Sequence, residues 1–376
     1  MLRFLTAGES HGPCLMAIIE GLPAGLQVDV EQINQHLARR QRGYGRGHRM
    51  NIEQDRVELL AGVLYGKTTG APLALRIENK DWKNWSERWA SGDLPRLTVP
   101  RPGHADYAGM VKYGLEDARL VLERASARET TARVAVGAVA RQLLAAFGVE
   151  LGSYVEQIGD VRADLSDPSD DTLEAVERRR WELAEASDVR CPDPDAAERM
   201  RAAVDAARRS KDSLGGVFVV SACGVPVGLG SHVHWDRRLD ARLALAMMSI
   251  PAVKGVEIGE AFANAGLPGT RVHDDLYPDG KGGVLRRTNR AGGTEGGMSN
   301  GAPLRVRAAI KPIPTTGTPH CSVDLLSGEA AEPQYQRSDI CVVPAAAVVG
   351  EAMLAWTLAE ALVEKLGGDS LQEMMR

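Results

Sequence analysis

The sequence predicts an α+β fold. Strand-like and helix-like segments follow one another in mixed order, without the regular strand–helix alternation of a doubly wound parallel sheet. A chain of 376 residues with 44% hydrophobic composition can bury a large core. No internal repeat or low-complexity tract is visible. The Asp/Pro-rich patch around Asp164 to Asp171 is too short to mark a domain boundary. Length alone favours two domains, with one large domain as the other outcome.

The elements read in order. The first 30 residues form a strand, a glycine-containing loop around His11, a second strand (Cys14 to Glu20) and a Pro-Gly turn. Glu31 to Arg42 is a short helix running into a Gly-Arg loop. Val57 to Leu64 and Pro72 to Glu78 alternate as strands do. Lys80 to Pro102 is polar and Trp-containing and reads as a long loop. Arg124 to Phe147 reads as a helix, with Ala132, Val136, Val139, Leu143 and Phe147 on one face. Ser126 with Glu129 fits a capping box at its start, and Gly148 fits its stop. Thr172 to Ser187 and Ala196 to Arg209 are charged amphipathic helices separated by Pro192 and Pro194. Gly216 to Val227 is an apolar, β-branched strand, Arg237 to Ile250 a helix, and Leu304 to Ile310 a strand. Pro344 to Leu366 is a long helix with proline at a favoured first-turn position.

Bulk properties exclude several functions. A net charge of −5 removes the chain-wide basic field expected of a nucleic-acid binder. Five scattered cysteines without a C-x-x-C pair argue against a disulfide framework and a zinc site. The first residues lack the apolar stretch of a signal peptide. No run reaches the ~18 apolar residues of a spanning helix. A soluble, cytoplasmic protein without membrane or nucleic-acid partners is expected. Gly62 to Thr68 resembles a phosphate-binding P-loop, but has three residues between its glycines and no helix after it. The glycines at 43, 45 and 47 follow a helix, not a strand, so they are no dinucleotide fingerprint. His232 and His234 would share a strand face but lack further ligands, and no metal is expected.

Chemistry concentrates elsewhere. Arg39, Arg40, Arg42, Arg46 and Arg49 crowd one helix end and the loop after it. Guanidinium forks bind phosphate and carboxylate in two-pronged fashion, so this cluster suits a small polyanion. Arg124, Ser126 and Arg128 fall in the expected first turn of the helix from Arg124. Arginine there opposes the helix dipole unless an anion lies between, so the placement suggests a ligand. His11 and His104 each lie in a glycine-containing loop beside an acidic residue, Glu9 and Asp106, which suits proton transfer. Ala291 to Gly301 is too glycine-rich for a regular element and fits close backbone approach to a ligand.

In combination these segments resemble the chorismate synthase family. The resemblance runs in consistent order from Phe4–Gly12 through Arg39–Gly47, Arg101–Asp106, Arg124–Arg133, Arg190–Pro194, Val253–Gly259, Gly292–Gly297 and Lys311–Thr315 to Arg337–Asp339. It is weaker over residues 161–188. It implies one large catalytic α+β domain over residues 1–376, with helices sandwiched between antiparallel β-sheets, assembled as a homotetramer. It also implies a carbon–oxygen lyase of the shikimate pathway, in aromatic amino-acid biosynthesis. Such an enzyme converts 5-enolpyruvylshikimate 3-phosphate to chorismate and phosphate by 1,4-elimination, with reduced flavin mononucleotide (FMN) and no net redox change.

The resemblance also carries roles. His11 protonates the departing phosphate, His104 sits by the flavin, and Asp339 helps remove the hydrogen through the flavin N5. Ser10, Arg128 and Arg133 match substrate positions. Arg40 and Arg46 match positions that bind substrate or a pyridine nucleotide. Arg124, Ala125, Ser126, Pro251, Ala252, Gly296, Lys311, Pro312, Ile313, Pro314, Thr315 and Arg337 match flavin contacts. Pro251 stands where a polar residue is expected, so its contact is through the backbone. Ala125 stands where many relatives have serine. No flavin-reductase insert is visible, which implies an external flavin reductase with NADPH as an indirect reductant. Two other readings predict different observables. A nucleic-acid binder would show salt-sensitive retention on RNA, and a metal hydrolase using His11, His104 and Asp339 would lose activity to a chelator.

Overall fold

The computed structural model describes residues 1–47, 53–166, 169, 171–280, 282–334 and 338–376. Arg49 and Arg337, singled out above, lie outside the described residues. The principal elements are β1 (Arg3–Ala7), β2 (Cys14–Glu20), α1 (Val30–Gln41), β3 (Val57–Ala61) and β4 (Leu73–Glu78). They continue with α2 (Asp106–Tyr113), α3 (Arg119–Ala125), α4 (Thr130–Ala145), β5 (Glu150–Ile158), α5 (Leu173–Glu185) and α6 (Pro194–Arg209). The chain closes with β6 (Gly216–Cys223), α7 (Leu239–Met248), β7 (Val253–Ile258), β8 (Leu304–Ile310) and α8 (Val343–Leu366).

Two antiparallel sheets flank a helical layer. The first has the order β1-β2-β4-β3 and the second β7-β8-β6-β5, edged by Val161–Arg162. On β2, Leu15, Ala17 and Ile19 turn inward while Met16, Ile18 and Glu20 face out, the alternation expected of a sheet with one covered face. α4 packs on β2, on α1 and on α8, and α8 packs in turn on β5 and β6. The α+β class with helices between antiparallel sheets is therefore observed.

The helix layer is tight because its contact residues are small. Gly137 of α4 meets α8 where an added Cβ would overlap the Cα, Cβ and carbonyl oxygen of Ala352. Two backbones that close cannot admit a side chain without moving apart. Gly137→Val is expected to destabilise the protein by about 3 kcal/mol, read as a lowered urea midpoint at unchanged m-value. An unchanged midpoint would contradict this packing.

Several boundaries differ from expectation. The helix read from Arg124 is two helices: α3 ends at Ala125, Ser126 adopts extended φ/ψ, and α4 begins at Thr130 after a single 3₁₀ turn over Ala127–Glu129. The Ser126–Glu129 capping box does not form. Ser126 Oγ accepts from the Arg128 N–H instead, while the Glu129 carboxylate accepts from Thr6 Oγ and Arg133. Arg124 thus lies in the last turn of α3, where a cation favours the helix dipole, so the dipole argument for a ligand at Arg124 fails. The loop read over 80–102 holds a 3₁₀ turn (Lys80–Asn84) and a short helix (Ser86–Ser91). α8 is also long and apolar enough to cross a membrane, contrary to the expectation from composition. However, 89% of its most apolar window is buried inside the protein, as befits a core helix.

Candidate functional site

Of the arginine cluster on α1 and the loop after it, Arg40 is carried into the interior, whereas Arg39 pairs with Glu185 and Glu351 and Arg42 is exposed. The buried stripe of α1 is Ile33, Leu37 and Arg40, spaced so that Arg40 takes a position an apolar residue would normally fill. Asp29 caps the helix by accepting from the N–H groups of Glu31 and Gln32. Beyond the helix, Gly43 and Gly45 adopt φ of 131° and 90°, a region disfavoured for other residues. At Gly45 a Cβ would also press on Val204 and Cys341. This turn delivers Arg46 to the segment before α8. There Asp339 Oδ2 accepts from Arg46 Nη1 at 2.6 Å, and Asp339 Oδ1 accepts from the Gly47 N–H at 2.6 Å.

Arg40 and Arg46 line a cavity of about 370 Å³. One wall is α8 and the residue before it, with Val342, Ala345, Ala346 and Val349 at helical spacing. A second is the turn from α7 into β7 (Ile250, Pro251 and Ala252), and a third the segment leaving β8 (Ile310, Lys311, Ile313 and Pro314). Ala252 holds φ 68°, and its carbonyl accepts from the Lys311 N–H at 2.9 Å, which locks these two walls together. The fourth wall is Gly103, His104 and Ala105, with Ala125 and Ala127 beside them. Lys311 Nζ donates to the Gly103 carbonyl at 2.5 Å and ties this loop down.

The cavity walls are mostly apolar, so the charges in them stand out. Arg40 is 4% exposed. Its Nε donates to Thr130 Oγ1 at 3.0 Å and its Nη2 to the Ala127 carbonyl at 2.8 Å. Its Nη1 has no hydrogen-bond partner among the described residues, and Asp55 Oδ2 stands 3.9 Å away. Burial, opposed by Asp55 but reinforced by Arg46 and Arg128, pushes its guanidinium down to about 9, so it remains a cation at neutral pH. A buried, under-partnered cation costs free energy unless an anion completes its bonds.

His104 is held by a carboxylate. Its Nδ1 lies 2.5 Å from Asp106 Oδ1, and Arg101 Nε and Nη2 donate to the two oxygens of the same group. Burial would raise the Asp106 carboxyl, but the bonds from His104 and Arg101 hold it well below the usual range. An ionised Asp106 therefore keeps the proton on His104 Nδ1 and leaves Nε2 as its second ring nitrogen.

His11 has a different partner from the one sequence proximity suggested. Its Nδ1 bonds Glu123 Oε1 at 2.8 Å rather than Glu9, and its own backbone N–H donates to Glu123 Oε2 at 2.7 Å. The ring lies on Trp85, with centroids 4.3 Å apart. Ser10 Oγ is 3.1 Å from Ser126 Oγ, which places the His11 loop beside Ala125 and Ala127 of the cavity wall. Neither Glu123 nor Trp85 carried a signal in the sequence that could have found it.

The remaining expected residues divide. Arg124, Ser126 and Arg133 line a second space of about 510 Å³, which shares Ala125 and Pro251 with the first. Arg124 donates to the carbonyl and hydroxyl of Thr6, and Arg133 to Glu129 and Ser249. Arg128 lines neither space; its guanidinium donates to Asp55 at 2.6 Å and Asn79 at 2.8 Å. Pro312 and Thr315 sit in the post-β8 segment but do not line the cavity, although the Thr315 carbonyl accepts from Ser338. Gly296 is at the tip of the Thr294–Ser299 hairpin, which packs on Arg238 and Leu239, apart from both spaces. His234 pairs with Asp236 at 2.8 Å.

Comparison with known proteins agrees over the whole chain. The family model described as chorismate synthase matches residues 2–363. The chain is similar to the chorismate synthase of Desulforudis audaxviator, with 56% identity over 380 residues, covering 100% of this chain and 96% of the relative. It is 51% identical to that of Chlorobaculum tepidum, over 100% of this chain and 96% of the relative. A solved structure described as "Crystal Structure of Chorismate Synthase" superposes with a TM-score of 0.81. It is 46% identical, and the match covers 100% of this chain and 95% of that one.

Proposed function

The chain belongs to the chorismate synthase family, and on that premise we propose that its two adjoining cavities hold FMN in reduced form against 5-enolpyruvylshikimate 3-phosphate. The enzyme is a lyase of the shikimate pathway that eliminates phosphate from this substrate to give chorismate, and its family requires reduced flavin. The observation that carries the site assignment is Arg40, a buried cation whose Nη1 has no hydrogen-bond partner among the described residues, in the wall of a mostly apolar cavity.

The residues fit a reduced flavin. Ala125, Ala127, Pro251, Pro314 and Ala346 give small or flat apolar surfaces suited to a planar ring, and Ala252 lines the same wall. When bound, the flavin would supply the electron density that loss of phosphate together with a weakly acidic C6 hydrogen needs, which side chains lack. Arg124 and Ser126, at the second space, suit its phosphate end. Arg40 and Arg46 neutralise the phosphate and carboxylates of the substrate. Arg128 supports Arg40 from behind through Asp55, which both guanidiniums approach. His11, near Ser10, gives a proton to the departing phosphate. His104, oriented by Asp106, borders the cavity and keeps Nε2 as its second ring nitrogen. Asp339, hydrogen-bonded to Arg46 and Gly47, takes up the proton released on the C6 side. We further propose that residues 1–376 form one catalytic domain that assembles as a homotetramer in the cytoplasm. An external flavin reductase, with NADPH as the indirect reductant, keeps the flavin reduced.

Arg46→Ala is expected to raise the substrate KM by about tenfold or more while moving the flavin Kd far less. Equal effects on both would contradict the assignment. The function itself is tested by anaerobic phosphate release from the enolpyruvyl substrate with dithionite-reduced FMN. Release that requires both is expected, and its absence would overturn the reading.

A further inference from the structure

We infer that Glu123 is the positioning residue of His11, fixing which ring nitrogen can deliver a proton. The inference rests on the reading of His11 as the proton donor, and concerns how the fold prepares that group.

Glu123 lies near the end of α3 and is 6% exposed. One of its oxygens accepts the backbone N–H of His11, and the other faces His11 Nδ1. The Glu123 carbonyl also accepts the Ser10 N–H at 2.9 Å, so three contacts bind the His11 loop to this one residue. A carboxylate only accepts hydrogen bonds, so Nδ1 must carry hydrogen. The proton that leaves is then the one on Nε2. After transfer to the phosphate oxygen, the ring is neutral with Nδ1–H still bonded to Glu123, and no proton moves to the carboxylate. Trp85 covers one ring face and restricts rotation.

The geometry makes Glu123→Gln an unusually sharp probe. The backbone N–H of His11 cannot become an acceptor, so it claims the amide oxygen. The amide NH2 must then face Nδ1, which can only accept. The neutral ring is forced into the Nε2–H form, and the doubly protonated ring meets donor against donor.

Nitrogen-15 imidazole spectra of the unsubstituted protein are expected to show His11 protonated at Nδ1, and those of Glu123→Gln to show Nδ1 unprotonated. An Nε2–H neutral ring in the unsubstituted protein, or no change on substitution, overturns the inference without reference to activity. Kinetically, Glu123→Gln is expected to lower kcat roughly 10²-fold with little change in KM. Added to His11→Ala, it should cost less than about twofold more. An equal loss in both backgrounds would make Glu123 merely structural and overturn the inference. Full activity of Glu123→Gln beside a slow His11→Ala removes this inference alone. Full activity of His11→Ala removes the proton-donor reading itself.

Discussion

His11→Ala is expected to fold, to bind flavin and substrate, and to turn over roughly 10²–10⁴-fold more slowly, the scale for losing a general acid. The side chain is a small fraction of the local framework. The loop around it is held by backbone bonds from Ser10 and His11 to Glu123, and by Asn79, whose amide donates to the carbonyls of Glu9 and Gly12. Alanine leaves those bonds in place, so loss of fold is not the expected cause of loss of rate. The expected signature is a fall in kcat and kcat/KM together, because the proton is transferred only as the phosphate departs. Anaerobic single-turnover measurements separate this step from product release. Wild-type turnover in the variant would remove His11 from the mechanism.

Glu351→Ala is expected to be the most destabilising single substitution, at about 3–5 kcal/mol. Glu351 sits in α8, 2% exposed, and three arginines converge on it. Arg39 and Arg141 donate to Oε2 at 2.8 and 3.0 Å, Arg190 reaches Oε1 at 3.3 Å, and Ser153 donates to Oε1 at 2.6 Å. Burial would raise this carboxyl, but the surrounding guanidiniums hold it well below its ordinary 4.5. Removing it strands like charges in the core. Because the folded value is depressed, its contribution is complete at neutral pH and fades only in acid, below the unfolded value. Urea unfolding at pH 7 tests the prediction, and an unchanged midpoint would contradict it. The substitution acts one turn from the cavity wall formed by Ala345, Ala346 and Val349, so loss of fold and loss of activity should track together.

How much was legible in the sequence follows physical lines. β8 was readable because Leu304 and Val306 alternate with Arg305 and Arg307, and α8 because a proline opens a long apolar run. β5 was not read, because α8 covers one of its faces and α5 the other, so residues 151–155 are all buried and alternation disappears. The break at Ser126 was hidden because alanines and arginines on both sides favour helix, and the division between α3 and α4 is one extended residue followed by a single 3₁₀ turn. His104 and Asp106 are two residues apart, so their pairing was visible. His11 and Glu123 are 112 residues apart, and only the tertiary fold joins them. The family resemblance supplied the residues at Pro251 and Lys311, but composition and spacing alone could not show that these segments share a wall.

The central claim is that reduced flavin and substrate meet in the cavity between α8, the Pro251 turn and the His104 loop. Ala125 borders both spaces, so Ala125→Trp should fill the junction while leaving the core intact. Anaerobic titration of reduced FMN with the substrate present tests the claim directly. The account predicts that the variant unfolds at the same temperature as the unsubstituted enzyme but binds flavin at least about tenfold more weakly. Equal affinity in a folded Ala125→Trp protein would place the flavin elsewhere.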